Sequence, residues 1–243
     1  MSVVAFTSLH GSPGATSLAV AVAHHWLDVA GREVVLIEAD PDGGVIAARH
    51  QLGLVPGLTE LAGSARLGIA SQDVVAKAQS FSSGVAVVPA HPSSDRTQAA
   101  LRAAAGHLSH AFGELAAHDV LVDVGRVRAG SPALPLVEAA DRIVVVVRPS
   151  AEDLVVAMNR LDLLRGIAPL QVVVVGERPY SATEVANALG VGEVVVAPHD
   201  ATAVQQDPAA LGLRRKPWTS AVRLLTRRLV DSVVDGRRRE VAA

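Results

Sequence analysis

The sequence predicts an α/β fold, with a single doubly wound, mostly parallel sheet of about seven strands and helices on both faces. Strand, loop, helix and strand follow one another within the first 40 residues, which is the pattern of a βαβ unit. Most later strand candidates are continuous runs of Val and Ile, as expected for strands buried on both faces. Half of the residues are hydrophobic but only 2% are aromatic, so Val, Leu and Ala must fill the core.

The first βαβ unit is defined by five consecutive segments. In order, they are an apolar run (3–6), a loop of small residues (8–14), a helix (16–30), the C-cap glycine Gly31 and a strand (34–37) that ends in Glu38-Ala39-Asp40.

The alternation of strands and helices continues along the chain. Further strands are predicted at 85–88, 120–124, 143–147, 172–175 and 194–196. Helices are predicted near 58–65, 71–79, 95–116, 131–140, 151–165, 182–189, 200–206 and 218–235. Ser181 and Glu184 have the spacing of a capping box. No repeat or interdomain linker interrupts the pattern, so one domain is the economical interpretation.

Charge is distributed unevenly along the chain. The net charge of −2 combines an acidic body, residues 1–213, with a basic segment, residues 214–243. We therefore divide the chain into a main domain, 1–213, and a basic C-terminal helix and tail, 214–243, which we expect to pack on that domain.

The basic segment has the pattern of an amphipathic helix. Its apolar residues recur at helical spacing: Trp218, Val222, Leu225, Leu229 and Val233. The simplest interpretation is that this stripe, widened by Leu224 and Val230, packs against the sheet as the last helix. The alternative is that arginines between Arg214 and Arg239 bind DNA phosphates or a membrane surface.

Several classes of protein are disfavoured by the composition. No apolar stretch approaches the roughly 18 residues of a membrane span, and no basic segment precedes an apolar one as in a signal peptide. The chain has no cysteine for disulfides or thiolate metal sites, and no Gly-x-Ser-x-Gly elbow of a hydrolase. A cytoplasmic protein is expected, with membrane association as a variant of that expectation.

The loop after the first strand is the first candidate for a ligand site, because open parallel sheets bind ligands beyond the carboxyl ends of their strands. Small residues there let backbone N–H groups converge on an anion at a helix N-terminus. The candidate binding residues are His10, Gly11, Ser12, Pro13, Gly14, Ala15, Thr16 and Ser17. Since many strand-to-helix turns contain Gly and Pro, the loop alone also fits an ordinary turn.

Together with two acidic strand ends, this loop resembles that of the ParA/MinD group of P-loop proteins (SIMIBI type), which reads Lys-Gly-Gly-x-Gly-Lys-Thr-Thr. The matching segments are Glu38-Ala39-Asp40-Pro41, Val122-Asp123-Val124-Gly125, Ala140-Asp141 and Ala197-Pro198-His199-Asp200. The resemblance covers nearly the whole chain. It implies a P-loop NTPase-like fold, ATP and Mg²⁺ as ligands, and a homodimer.

The resemblance also implies roles for individual residues. Thr16 would hold Mg²⁺ through its hydroxyl and Asp123 through water, while Asp40 would lie near the attacking water as the catalytic residue. Gly125 would sense the γ-phosphate. The alternative is that Asp40 and Asp123 only cap or solvate strand ends.

Departures from the family pattern bear directly on catalysis. His10 and Ala15 stand where the family has lysines, and Ser12 replaces its second glycine. The lysine expected at Ala15 would neutralise the β- and γ-phosphates, and the one at His10 would reach across a dimer. Losing one preorganised charge stabiliser costs on the order of 10²–10³ in rate, and His10 compensates only when it is protonated.

Two further positions affect what the loop is expected to bind. Gly176-Glu177 stands where many family members carry an adenine-recognising Asn, which puts base specificity in question. Arg126 and Arg128 are candidates to replace the missing charge, since an arginine can clamp a phosphate bidentately; the alternative is that both are solvated. The loop also resembles a divergent actinobacterial MinD-like subgroup that lacks the loop lysine.

The function expected from these features is that of a degenerate ParA/MinD-like scaffold or positioning factor, in pilus assembly, partition or division. Its degenerate Walker A loop would bind nucleotide weakly or not at all and hydrolyse it negligibly, as in a pseudo-ATPase. One alternative is a slow but competent ATP-dependent switch. Another is a DNA- or membrane-binding module that uses the basic C-terminal helix.

Overall fold

A computed structural model of the chain describes residues 1–199 and 216–241. Its strands are β1 (Val3–Ser8), β2 (Glu33–Glu38), β3 (Gln79–Ser80), β4 (Ala86–Val88), β5 (His118–Arg126), β6 (Arg142–Val147), β7 (Leu170–Val175) and β8 (Val194–Ala197). Its α-helices are α1 (Ala15–Ala30), α2 (Ile46–Arg49), α3 (Leu58–Ser64), α4 (Ser71–Ala76), α5 (Ser94–Gly113), α6 (Leu134–Glu138), α7 (Ala151–Arg165), α8 (Ala182–Leu189) and α9 (Lys216–Val241).

All eight of these strands belong to one sheet, in the order β3-β4-β2-β5-β1-β6-β7-β8. Every pair is parallel except β3 with β4. The predicted doubly wound, mostly parallel sheet is therefore confirmed, with one strand more than expected. That strand, β3, lies where the predicted helix 71–79 was expected to end, because α4 stops at Ala76 and the Gln79 side chain bonds the backbone of Gly53 and Pro56.

Side chains of each strand alternate between two hydrophobic layers. On β1, Val3 and Ala5 face one layer, which contains the buried side chains of α3, α5, α7 and α8. Val4 and Phe6 face the other layer, which contains those of α1 and α9. Both faces of the sheet are thus covered, which explains why its strands are continuous Val and Ile runs rather than alternating ones.

Most predicted helices lie where expected, and the differences are local. The capping box of Ser181 and Glu184 is present at the start of α8. α6 spans only Leu134–Glu138 within the predicted 131–140, with Pro135 in its first turn, where proline is tolerated. α2 was not predicted, because four residues are too few to show a helical period. The helix predicted near 200–206 lies outside the described residues.

The last helix, α9, packs its apolar stripe into the layer that contains α1. Trp218, Val222, Leu225, Leu229 and Val233 are all buried. Leu224 is 46% exposed, so the expectation that it widens this face was wrong. Among the described residues, none of the helices has the length and hydropathy to span a bilayer. The domain division at 213 and 214 falls outside the described residues and stays a prediction.

Candidate functional site

A cavity of about 360 Å³ opens at the carboxyl ends of the central strands. That volume falls within the rough range of 300–1,000 Å³ found for small-molecule sites. Its walls include every residue of the predicted loop from Gly11 to Ser17, together with Asp40 and Gly125. Of the predicted site residues, His10 and Asp123 do not line it.

The backbone of the loop depends on two glycines. Gly11 has φ of 57° and Gly14 has φ of 104°, both in the left-handed region that favours glycine. Gly14 is the N-cap of α1 and, within the described residues, α1 has no side-chain cap. The first N–H groups of this 16-residue helix therefore lack a capping side chain at the cavity wall, where they would favour an anion.

Asp123 lies under the loop and is completely buried at the end of β5. Its Oδ1 accepts a hydrogen bond from the Gly125 N–H at 3.2 Å, whereas its Oδ2 has no hydrogen-bond partner among the described residues. Burial raises the pKa of Asp123 to about 7; the Thr16 hydroxyl opposes this shift, and the nearby Glu38 and Asp40 carboxylates add to it. Burying a carboxylate oxygen without a partner is costly, and such groups cluster at sites where a cation or a proton binds.

Asp40 packs directly against Gly125. A side chain at position 125, where φ is 58°, would overlap the Asp40 carboxyl group, so only glycine permits this approach. Asp40 Oδ1 accepts a hydrogen bond from the Asp42 N–H at 2.9 Å. Burial raises the pKa of Asp40, and the hydrogen bond from Asp42 opposes that shift. The two predicted carboxylates, Asp40 and Asp123, are thus brought together by neighbouring strands.

Glu38 is a buried carboxylate close to Asp40 and Asp123, and no role was assigned to it from the sequence. Its Oε1 accepts hydrogen bonds from the backbone N–H groups of Val45 (2.6 Å) and Ile46 (2.9 Å), and its Oε2 from that of Ala90 (2.9 Å). Burial raises the pKa of Glu38, and these three donors oppose the shift. Glu38 therefore anchors the loop after β2, which carries Asp40 into the cavity wall. An acidic residue ending an apolar strand was the available signal.

Arg126 and Arg128, the candidates to replace the missing charge, both approach the Asp42 carboxylate. Arg126 lines the cavity but forms an ion pair with Asp42, and an Arg128 nitrogen lies 3.7 Å from the same carboxylate. One carboxylate, that of Asp42, thus offsets only part of the charge of these two arginines.

Two other arginines line the cavity and were missed. Arg148, which directly follows β6, donates a hydrogen bond from its guanidinium to the Ser12 carbonyl oxygen at 2.7 Å. Arg49, at the end of α2, donates to the Ser17 hydroxyl at 3.4 Å. The rule that ligands bind beyond parallel strands would have found Arg148, because β6 is paired with β1.

His10 is held away from the cavity by its own chain. Its Nδ1 lies 2.8 Å from Oδ1 of the buried Asp153 in the first turn of α7. The other oxygen of Asp153 accepts the Arg148 backbone N–H at 3.0 Å. The contact with Asp153 directs the imidazole toward α7, and a role for His10 in binding stays a prediction.

The cavity wall also includes residues that are distant in sequence from the loop. Val175, His199 and Trp218 line it, whereas Gly176 and Glu177 do not. Asp200, which completes the predicted Ala197-Pro198-His199-Asp200 segment, lies outside the described residues.

The donor set at the loop suits a hard cation only in part. Within the described residues, no group of three or more His, Asp or Glu side chains converges on one point. The Thr16 hydroxyl and the unpartnered Asp123 oxygen are the oxygen donors that Mg²⁺ prefers, and Mg²⁺ commonly takes one or two protein ligands and completes its shell with phosphates and water.

Comparison with solved structures identifies the fold. A ParA family ATPase from Chlorobium tepidum matches with a TM-score of 0.75 and 14% identity over 91% of this chain and 96% of that one. The septum site-determining protein MinD from Pyrococcus horikoshii, complexed with Mg-ADP, matches with a TM-score of 0.72 and 13% identity over 92% and 93%. The MinC:MinD complex of Aquifex aeolicus matches with a TM-score of 0.66 and 19% identity over 95% and 96%.

These likenesses establish that the chain has the ParA/MinD P-loop fold over nearly its whole length. In sequence, no family model and no curated protein matches it. The narrower resemblance to an actinobacterial subgroup stays a prediction.

Proposed function

We propose that this chain is a cytoplasmic positioning or scaffold protein of the ParA/MinD type, which acts as a homodimer, binds a nucleoside triphosphate weakly and hydrolyses it negligibly. The observation that carries the proposal is a loop that keeps an anion-binding backbone but has the buried methyl group of Ala15 where the family has lysine. Pilus assembly, partition and division are the processes in which such a protein would act.

Binding is supported by the parts of the site that remain. The loop glycines and the uncapped start of α1 suit a phosphate group, and the cavity is large enough for a nucleotide fragment. Thr16 and Asp123 would hold Mg²⁺, which supplies neutralisation of phosphate charge when it is bound.

Weak hydrolysis is supported by the missing charge. Phosphoryl transfer depends almost wholly on positioning and on stabilisation of developing charge. Without the lysine expected at Ala15, a rate loss on the order of 10²–10³ is expected. Asp40 remains in place beside Gly125, so the residue that would orient water is present while the strongest charge stabiliser is not.

A protein partner is part of the proposal. MinD of Aquifex aeolicus has been solved as a MinC:MinD complex, which supports a partner-binding role for this fold. In the family pattern, the lysine at the position of His10 would cross a dimer, but His10 is bonded to Asp153 of its own chain. A dimer of this protein would therefore lack that contact.

A second candidate function is salt-sensitive attachment to DNA or an anionic membrane through α9. Arg223 and Arg227 are exposed on this helix while its apolar stripe is buried. Replacing both arginines with glutamate would abolish such binding without opening the core. Retained binding to DNA fragments and to anionic vesicles would dismiss this candidate.

The proposed function is tested by calorimetric titration of ATP with Mg²⁺, together with a phosphate-release assay. Binding in the micromolar to millimolar range without turnover is expected. No binding up to millimolar ATP would overturn the nucleotide part of the proposal. Turnover that disappears in Asp40→Asn would instead establish the competent ATPase.

A further inference from the structure

We infer that Arg148 supplies the positive charge that the loop lacks, and that it binds a phosphate group of the ligand from the β6 side of the cavity. This inference rests on the proposed function, since it concerns the same site. The charge then comes from a residue that directly follows β6 and is distant in sequence from the loop.

The position of Arg148 follows from the sheet. β6 pairs with β1 in parallel, with Val146 opposite Ser8, so the residues that follow both strands meet at one edge. The Arg148 guanidinium lies over the loop, 2.7 Å from the Ser12 carbonyl oxygen. One of its nitrogens lies 3.7 Å from the place that a Cβ atom on Gly11 would occupy. The guanidinium therefore borders the loop backbone that would cradle an anion.

The backbone of Arg148 is fixed independently of its side chain. Its N–H donates to Asp153 Oδ2 at 3.0 Å, and Asp153 is 5% exposed at the start of α7. This carboxylate thus holds the main chain, while its other oxygen contacts His10. The side chain is left to extend toward the loop.

The Arg148 guanidinium has no acidic partner among the described residues, whereas Arg126 and Arg128 share one. Arg126 and Arg128 both contact Asp42. Among the described residues, the Arg148 guanidinium makes no ion pair, and its one hydrogen bond is to a neutral carbonyl oxygen. A guanidinium has several N–H donors in a planar fork, so donors remain for a phosphate after Ser12 is bound.

A separate observation indicates that a charged ligand belongs here. The Oδ2 atom of Asp123 is buried without a hydrogen-bond partner under the same loop, as expected where a cation completes the site. Asp123 would hold such a cation, and the cation and the Arg148 guanidinium would both supply positive charge to the site. Arginine is suited to this role because it stays charged at any physiological pH and can donate two parallel hydrogen bonds to one phosphate group.

The test is titration of ATP and, separately, of inorganic pyrophosphate into the wild type and Arg148→Ala, both with Mg²⁺. We expect affinity for each ligand to fall about 10- to 100-fold, the range for a lost charge-assisted contact. Arg148→Lys should be intermediate, because lysine keeps the charge but loses the fork. Arg102→Ala is the matched control, since Arg102 is exposed on α5 and bonded to Gln98; its affinities should not change.

A rescue variant guards against a general disturbance of the loop. Ala15→Lys in the Arg148→Ala background should recover most of the lost affinity, because it returns the charge to the position of the family lysine. Failure of this rescue, with both variants folded by their melting temperatures, would overturn the inference.

The outcomes separate this inference from the proposed function. Wild-type binding with an unchanged Arg148→Ala would overturn the role of Arg148 and leave the proposed function standing. A loss for ATP but not for pyrophosphate would also overturn it, because the contact would then be to the nucleoside. No wild-type binding of either ligand would overturn both.

Discussion

Nδ1 of His10 lies 2.8 Å from Oδ1 of Asp153, and this contact joins the loop after β1 to the first turn of α7. Asp153 is buried, and it also holds the backbone N–H of Arg148. A single carboxylate therefore fixes the loop on one side and the end of β6 on the other. The imidazole is engaged within its own chain and lies outside the cavity lining.

From this arrangement we predict that His10→Ala changes nucleotide affinity by less than about threefold while lowering stability. The lost hydrogen bond to a buried carboxylate is worth about 1–2 kcal/mol. Urea denaturation and titration of ATP measure the two effects. A large loss of affinity at unchanged stability would show that His10 contacts the ligand.

Asp123→Asn is predicted to stabilise the protein at about pH 8 by roughly 1–3 kcal/mol, while Mg²⁺-dependent binding is lost. The reason is that a buried carboxylate with an unpartnered oxygen, close to Glu38 and Asp40, is replaced by a neutral group. The free energy of unfolding from urea denaturation is the measurement.

Asp119 provides the control for that prediction, because it is equally buried but well bonded. Its carboxylate accepts from the Ser2 N–H at 2.8 Å, the Trp26 indole at 3.0 Å and Arg32 at 3.2 Å. Asp119→Asn should therefore destabilise the fold. If both substitutions shift stability in the same direction, the account of Asp123 is wrong.

Gly125→Ala is predicted to displace Asp40, because the added methyl group would overlap its carboxyl group. We expect a loss of about 2–4 kcal/mol from overpacking and from a positive φ angle together. Gly130 is the control: its φ is also positive, at 76°, but no atom lies near an added methyl group. Gly130→Ala should cost only about 1 kcal/mol, and equal losses for the two variants would contradict the predicted overlap.

Acidification is predicted to weaken the protein through His25 on α1. Burial lowers the pKa of His25, Arg223 of α9 and His24 lower it further, and Asp28 raises it. Because the folded-state pKa is depressed, the unfolded chain takes up the proton first. Stability is thus intact above the ordinary histidine pKa of about 6.5 and decreases as the pH falls through the folded value.

The measurement for His25 is the free energy of unfolding between about pH 7.5 and pH 5. His25→Gln should have a shallower decrease over this range than the wild type. Parallel curves for the two proteins would assign the acid sensitivity to other groups.

The sheet and most of the helices could be predicted from sequence because their signals are local. Runs of Val and Ile mark strands buried on both faces, and Ser181 with Glu184 marks the start of α8. β3 and α2 could not be predicted, since two and four residues show no period. The exposure of Leu224 depends on the rotation of α9 about its own axis where it packs against α1. Helical periodicity gives the edge of the buried face only to within about one residue.

The loop backbone and the acidic residues of the site could be predicted from the sequence, whereas the partners of its arginine and histidine side chains could not. The loop glycines and Asp40 are recognisable because they lie in the loops after β1 and β2, and Gly125 because it is the next-to-last residue of β5. The pairing of Arg126 with Asp42 and the bond of His10 to Asp153 join residues far apart in sequence. Such contacts are set by the order of strands in the sheet, which no short segment encodes.

Because the middle of the sheet has the order β2-β5-β1-β6, strands that are distant in sequence must pair as the protein folds. The residues that line the cavity are spread along the chain from Ser8 to Trp218, so a fragment that ends before α9 lacks part of its wall. Parallel pairings over such separations are slow to form, because the entropy of closing long loops is lost before the contacts are gained. The cavity is thus completed late in folding, and a ligand that binds it would stabilise chains that have completed it.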